Sequence, residues 1–304
     1  MLRRIASKLW PKHIAPGLRS QLVKLRSKSA VRLHFELWRR YSHAVYGKHR
    51  PITAHGAELV ARSNDWRAFW VHKQGGSQRE LLVPWQRLIE LEPQVCIDVG
   101  ANYGEFSAPI ADQVEALIAV EANPVVFECL ERTLADTNAT AVNVAASDEP
   151  GEVTIFAKDD LSGYSSLARE VMSDKTSPVG TDDDVTAHAV EATTLDKLVR
   201  QTLGELPRSV VMKVDVEGFE QPVLEGATQL LGDADWWRAV IEFSISSIGS
   251  RGADPKQFWE WLRQYNGIIL DESVDGTIDF RQLDDSLPSE MPDHANLVIG
   301  QGTA

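Results

Sequence analysis

The chain has 304 residues, 43% of them hydrophobic, which is enough core for one large α/β domain with an extension or for two modest domains. Its net charge of −13 is uneven: residues 1–50 hold thirteen Lys and Arg and one acid, and the remaining 18 basic and 43 acidic residues leave the body at −25. So acidic a body argues against a nucleic-acid-binding core, whose affinity comes mostly from phosphate contacts.

The basic segment has no apolar run of about eighteen residues and no signal-peptide core, so it is expected neither to span a membrane nor to direct export. From Leu18 to Tyr46 the spacing predicts a helix with Leu18, Leu22, Leu25, Leu33, Leu37 and Tyr41 on one side. Such a helix docks on the protein's own acidic body, the simpler expectation, or lies on an anionic membrane surface or an acidic partner. Cys96 and Cys129 sit inside apolar patterns without metal-ligand spacing and read as buried thiols of a reducing, cytoplasmic compartment. Glycines and Pro51 break residues 47–90 into short elements. Trp66–Val71 is compatible with a strand, and Leu81–Leu91 with a helix burying Leu82, Trp85, Leu88 and Ile89.

Val95 to Pro124 is the organising stretch. Val95-Cys96-Ile97 reads as a buried strand ending at Asp98 and a loop bracketed by Gly100 and Gly104, where the backbone can approach a ligand or take positive φ. A helix is expected over Phe106–Ala116 and a second strand over Ala116–Val120, with Glu121 just past its end. In a doubly wound sheet ligands lie outside the carboxyl ends of the strands, so the loop and Glu121 face one pocket. An acid about twenty positions after a glycine loop suits ribose hydroxyls. The loop is G-A-N-Y-G rather than G-x-G-x-x-G, however, so the close turn for a pyrophosphate is missing and a nicotinamide dehydrogenase is disfavoured. A nucleoside ligand without phosphates fits better, S-adenosylmethionine foremost; the plainer alternative is an ordinary βαβ unit.

Pro124 opens a helix with Val126, Leu130 and Leu134 on one stripe, and Ala141–Ala145 reads as a third strand followed by Asp148, placed to accept from an adenine amino group or to cap a turn. Gly151–Phe156 reads as an edge strand, Leu161–Leu167 as a loop whose Ser165 and Ser166 are candidates for substrate hydroxyls, and residues 173–186 as exposed and acidic. Val210–Val216 is a central strand carrying Lys213 and Asp215 near its carboxyl end, followed by a Glu217-Gly218 turn and a helix over Phe219–Leu231. A buried strand has little reason to hold such charges unless they pair or serve a ligand. Ala239–Phe243 repeats the pattern by placing Glu242 inside an apolar run. Phe258, Trp259, Trp261 and Leu262 sit at helical spacing and read as core, with Ile268–Leu270 and Leu297–Ile299 as the final strand pair.

DVGANYG, the Glu121 after the next strand, AASD at 145–148, TTLDKL at 193–198, KVDVEGFE at 213–220 and VIEFS at 240–244 together resemble the FkbM family of S-adenosylmethionine-dependent methyltransferases. The resemblance covers about residues 80–300, leaving residues 1–75 as a basic, largely helical extension and 76–304 as the methyltransferase domain. It implies the class I methyltransferase (Rossmann-like) α/β fold: a seven-stranded, mostly parallel sheet in the order 3-2-1-4-5-7-6, its last strand antiparallel, with helices on both faces. It also implies methyl transfer to a hydroxyl, commonly on a sugar of a glycan, glycolipid or glycosylated metabolite. Carried onto this chain, Asp98, Gly100, Asn102 and Gly104 cradle the methionine part of the cofactor, Glu121 takes the ribose and Asp148 sits near the adenine. Asp215 borders the sulfonium and the acceptor, with Lys213 and Glu217 beside it.

A sugar hydroxyl is a poor nucleophile, so its transfer profits from a base and from close positioning. Asp215 or Glu242 is the expected base; alternatively the two hold a divalent cation such as Mg²⁺, which the sequence leaves undecided. His188 and His294 are further base candidates, since an imidazole titrates near neutral pH, although a lone histidine in a loop is more often structural. Two rival functions remain: methylation of nitrogen or of a small metabolite, and a non-catalytic cofactor-binding module recruited through the basic N-terminus.

Overall fold

A computed structural model describes residues 28–158, 162, 185–270, 281–284, 287–289 and 291–303. Leu18, Leu22, Leu25, Ser165, Ser166 and most of the acidic stretch after 173 lie outside them. Among the described residues no helix is long and apolar enough to cross a membrane.

The chain opens with α1 (Lys28–Tyr46), a hairpin of β1 (His49–Ala54) and β2 (Ala57–Arg62), and α2 (Trp66–Gln74). The helix α1 turns Phe35 inward, fully buried, while Leu33, Leu37 and Tyr41 stay 61%, 59% and 45% exposed. The described part of the stripe expected to dock on the acidic body therefore faces solvent. Helix α2 replaces the expected strand at Trp66–Val71. The Asp65 carboxylate caps its start by accepting from Ala68 N–H, and Gly75 closes it in the left-handed region. Ile52, Leu59, Ala68 and Val71 share a core with Tyr103, Val126 and Cys129, so residues on both sides of position 75 pack together.

The main sheet is built by β3 (Val95–Val99), β4 (Leu117–Val120), β5 (Thr140–Val142), β9 (Ser209–Val214), β10 (Trp236–Ser244), β11 (Asn266–Leu270), β12 (Arg281–Gln282) and β13 (His294–Gly302). Its order is β12-β11-β13-β10-β9-β3-β4-β5. Without the two-residue β12 this is the expected 3-2-1-4-5-7-6, with β13 antiparallel to both β10 and β11. β3 and β9 are buried at every position, as strands covered on both faces must be. Helices α3 (Arg79–Ile89), α4 (Pro124–Leu134), α5 (Leu195–Leu203), α6 (Glu220–Glu225), α7 (Thr228–Asp233), α8 (Ile245–Ser250) and α9 (Pro255–Leu262) surround it. A second sheet, β6 (Ala145–Ala146), β7 (Gly151–Lys158) and β8 (Val185–Thr193), lies beyond β5.

Three expectations are corrected. Phe106–Ala116 forms successive turns instead of a helix: Pro109 lacks the amide hydrogen that a helix needs, and the Ser107 hydroxyl is drawn to Asp98 at 2.6 Å. The third strand splits into β5 and β6 because Asn143 Nδ2 donates to the carbonyls of Glu121 and Ala122 (2.7 and 3.1 Å) between them. The helix over Phe219–Leu231 breaks at Gly226, where a β-carbon would meet Ser147 O at 2.0 Å, and the Asp196 carboxylate caps α7 through Gln229 and Leu230 N–H.

Candidate functional site

The carboxyl ends of β3, β4, β9 and β10 open onto a cleft that is partly open to solvent. Gly100, Asn102, Glu121, Asp215, Glu217 and Glu242 all line it. Gly100 has φ +78°, and a β-carbon there would overlap Asp215 O at 2.0 Å. The loop after β3 therefore needs glycine to pass under the loop after β9.

Glu121 is 7% exposed. Its Oε2 accepts from Asn102 N–H at 2.9 Å and its Oε1 from Asn123 N–H at 2.8 Å. Burial pushes its carboxyl up to about 7, against the pull of those two N–H groups. The side chain thus ties the β3 loop to the start of α4 while facing the cleft.

Beneath the loop sits a charged trio. Lys213 Nζ lies 3.3 Å from Asp215 Oδ2 and 3.5 Å from Asp98 Oδ1. Burial works to lower the lysine, but Asp215 and Asp98 outweigh it and hold the ammonium above its ordinary value. Asp98 is fully buried and also accepts from Ser107. Asp98 and Lys213 are not among the lining residues; through the trio they hold Asp215, which is. Gly104 packs on α4, 3.1 Å from Leu130 measured from a built β-carbon, and does not line the cleft. Asp148 is exposed, accepts from its neighbour Ser147 and is likewise not a lining residue; Val144, Ala145, Ala146 and Ile155 form that end instead.

At the far end Glu242 projects from β10 with its side chain 14% exposed. Oε1 stands 3.6 Å from His294 Nδ1, and Oε2 is buried without a hydrogen-bond partner among the described residues. Behind it Glu220 is fully buried, accepts from Val216 and Gly218 N–H through Oε1 (3.0 and 3.1 Å) and also leaves Oε2 without one. Burial first, and the Glu242 charge second, push Glu220 up to about 8. His188 lies on β8 and does not line the cleft. Among the described residues no three His, Cys, Asp or Glu come together as a metal site.

The Glu220 shift has a stability consequence. Below its ordinary value of 4.5 the group is protonated in both folded and unfolded chains. Between 4.5 and about 8 only the unfolded chain releases the proton, so this contribution to stability is lost as pH rises through that window. Glu121 acts in the same direction up to about 7. In Glu220→Gln the amide oxygen keeps both backbone bonds and the amide stands for the protonated acid. Its melting temperature should fall less than that of the wild type between pH 6 and 9 by calorimetry. Parallel curves would show that Glu220 is already ionised in the fold across that range and is not pushed up.

Residues 98–268 match the family described as the methyltransferase FkbM domain, more than half of the chain. The chain belongs to the FkbM family of S-adenosylmethionine-dependent methyltransferases. It is 27% identical over 175 residues to the hexuronic acid methyltransferase AglP of Haloferax volcanii, a match covering 57% of this chain and 63% of that protein, less than two thirds of its length. Among solved structures, this FkbM-family chain aligns with a SAM-dependent methyltransferase from Agrobacterium tumefaciens (12% identity, 85% of this chain, 71% of that one, TM-score 0.39). It aligns similarly with the N-methyltransferase NodS of Bradyrhizobium japonicum, solved with S-adenosyl-L-homocysteine (10%, 73% and 85%, TM-score 0.38).

Reading motifs alone missed four groups. Asn143 clamps the chain after β4, and Glu220 lies inside the KVDVEGFE motif, where its burial was the unread signal. Arg67 and Gln78 line the cleft from outside the matched domain, and no motif announces them.

Proposed function

We propose that the chain transfers the methyl group of S-adenosylmethionine to a hydroxyl of a sugar. The carrying observation is one cleft with a carboxylate at each end, Glu121 buried on the β4 side and Glu242 half-buried on the β10 side, in a member of the FkbM family. The cleft fits the cofactor: Gly100 leaves its backbone bare, Glu121 keeps lone pairs for ribose hydroxyls, and small apolar residues at 144–146 suit a flat base. When bound, S-adenosylmethionine supplies an electrophilic methyl on a sulfonium.

The chain's own residues prepare the acceptor. Asp215, held by Lys213 at 3.3 Å, lines the cleft, where it can orient a hydroxyl. Glu242, with one oxygen uncommitted, takes the hydroxyl proton as the oxygen–carbon bond forms. Removal of that proton matters for an alcohol, whose conjugate acid is otherwise too acidic an intermediate to form readily. The AglP relative, named for a hexuronic acid, supports a sugar acceptor.

The test is transfer of labelled methyl from the cofactor to glycan extracts and, in parallel, to amine acceptors. The expected product is an alkali-stable methyl ether on a sugar. Label released by mild alkali would mark a methyl ester, and label on amines alone would mark an N-methyltransferase; either overturns the hydroxyl reading. Binding of cofactor without transfer to any acceptor would favour a non-catalytic module.

A further inference from the structure

Arg67 is the only Lys or Arg among the described residues that line the cleft; the other charged groups there are Glu121, Asp215, Glu217 and Glu242. It is carried by α2, outside the family match, and one edge of its guanidinium is fixed. Nη2 donates to Glu105 Oε2 at 3.1 Å and lies 3.5 Å from Ser77 Oγ. Glu105 is itself 3% exposed, meets His55 Nε2 at 3.1 Å and accepts from Ser77 N–H. Burial works against its charge, but His55, Arg67 and Ser77 together hold it at about 2. Gly76 lies against the His55 ring, where a β-carbon would overlap it, so the network has no slack.

The remaining guanidinium nitrogens, Nε and Nη1, make no hydrogen bond among the described residues, and the side chain is 25% exposed. Burial works against the guanidinium's charge, but Glu105 first, then Asp215, Asp65 and Glu217, outweigh it, while Lys213 pairs with Asp215 at 3.3 Å. Gln78 lines the same wall, one residue after Ser77, and its Oε1 is buried without a hydrogen-bond partner. With Nη2 held by Glu105 and Ser77, Nη1 is left to donate a charge-assisted hydrogen bond to a carboxylate. An uncommitted amide oxygen accepts a hydroxyl.

We propose that Arg67 and Gln78 form a subsite for a carboxylate-bearing sugar, Arg67 taking the carboxylate and Gln78 a neighbouring hydroxyl. The inference rests on the reading of the cleft as a sugar methyltransferase site and names the acceptor as acidic. A pre-positioned cation also explains how a strongly acidic body admits an anionic acceptor: the charge is paired inside the cleft.

The test compares methyl β-glucuronide with methyl β-glucoside, which differ in the carboxylate, titrated into protein saturated with S-adenosylhomocysteine. The wild type should bind the glucuronide about tenfold more tightly, one charge-assisted hydrogen bond being the difference. Arg67→Gln should abolish the preference. Arg67→Lys, which keeps a charge beside Glu105 but loses the planar guanidinium donors, should retain part of it. Equal affinity of the wild type for both glycosides, with normal S-adenosylhomocysteine binding, overturns the subsite and leaves the methyltransferase reading standing. A tenfold loss of S-adenosylhomocysteine affinity in Arg67→Gln, with 5′-methylthioadenosine unaffected, also overturns it by assigning Arg67 to the cofactor's carboxylate. A folded wild type that binds no S-adenosylhomocysteine removes both readings.

Discussion

Glu242→Gln is expected to lower kcat for methyl transfer by about 100-fold or more, the low end of what a positioned general base contributes. KM for the acceptor and affinity for S-adenosylhomocysteine should change by no more than about threefold, because the amide keeps the shape and one acceptor oxygen of the acid. The split between kcat and KM separates a base from a binding group. Glu242 is the stronger candidate on chemical grounds. Its Oε2 has no hydrogen-bond partner among the described residues, whereas Asp215 is neutralised by Lys213 at 3.3 Å. Glu220 behind Glu242 adds a second carboxyl, and two such neighbours resist ionising together. A proton gained by Glu242 during transfer therefore relieves repulsion whenever Glu220 is charged. Asp215→Asn should raise KM and lower kcat together, since Asp215 orients the acceptor and holds Lys213. If Asp215→Asn abolishes kcat alone while Glu242→Gln turns over normally, the proton goes to Asp215.

Much of this site was legible in the residues, and the reason is local. A class I sheet ends its strands in short loops, so a four- or five-residue apolar run followed by Gly, Asp or Glu marks both the strand and the cleft edge. Gly100 and Glu121 announced themselves in that way, Asp215 and Glu242 as charges inside apolar strands, and all four line the cleft. The strand order came from the family resemblance, and β9, β3 and β4 take the places it implies. The arm outside that resemblance was read poorly. Trp66-Arg-Ala-Phe-Trp-Val looks β-forming by residue type, yet the Asp65 cap and the Gly75 stop make it a helix. Arg67 acquires its role only by meeting Glu105, thirty-eight positions away, and no periodicity encodes that contact. Asp148 shows the opposite failure: its motif position was clear, but the turn leaves it exposed beside Ser147.

Glu121→Ala should weaken S-adenosylhomocysteine binding about 100-fold in a calorimetric titration. Hydrogen bonds to a charged acceptor contribute roughly 1.5–3 kcal/mol each, and two ribose hydroxyls are at stake. Loss of the carboxylate also strips Asn102 and Asn123 N–H of their acceptor, which loosens the β3 loop against the start of α4. Glu121→Gln separates these effects, because its amide oxygen can hold one of the two N–H groups while the charge is gone. The pH dependence gives a second reading. Glu121 stands at about 7 in the folded chain, so between pH 6 and 8 it passes from mostly protonated to mostly ionised. If ribose hydroxyls donate to the ionised form, binding releases a proton, and affinity rises with pH across that window. In Glu121→Gln the rise should vanish. Wild-type affinity flat across the window, or full affinity in Glu121→Ala, would move the ribose elsewhere and leave Glu121 as a strut between the β3 loop and α4. A loss in Glu121→Ala together with a pH slope that Glu121→Gln abolishes would place the ribose at the end of β4. The acceptor would then approach from the Asp215 and Glu242 side, the only other part of the cleft that carries described carboxylates.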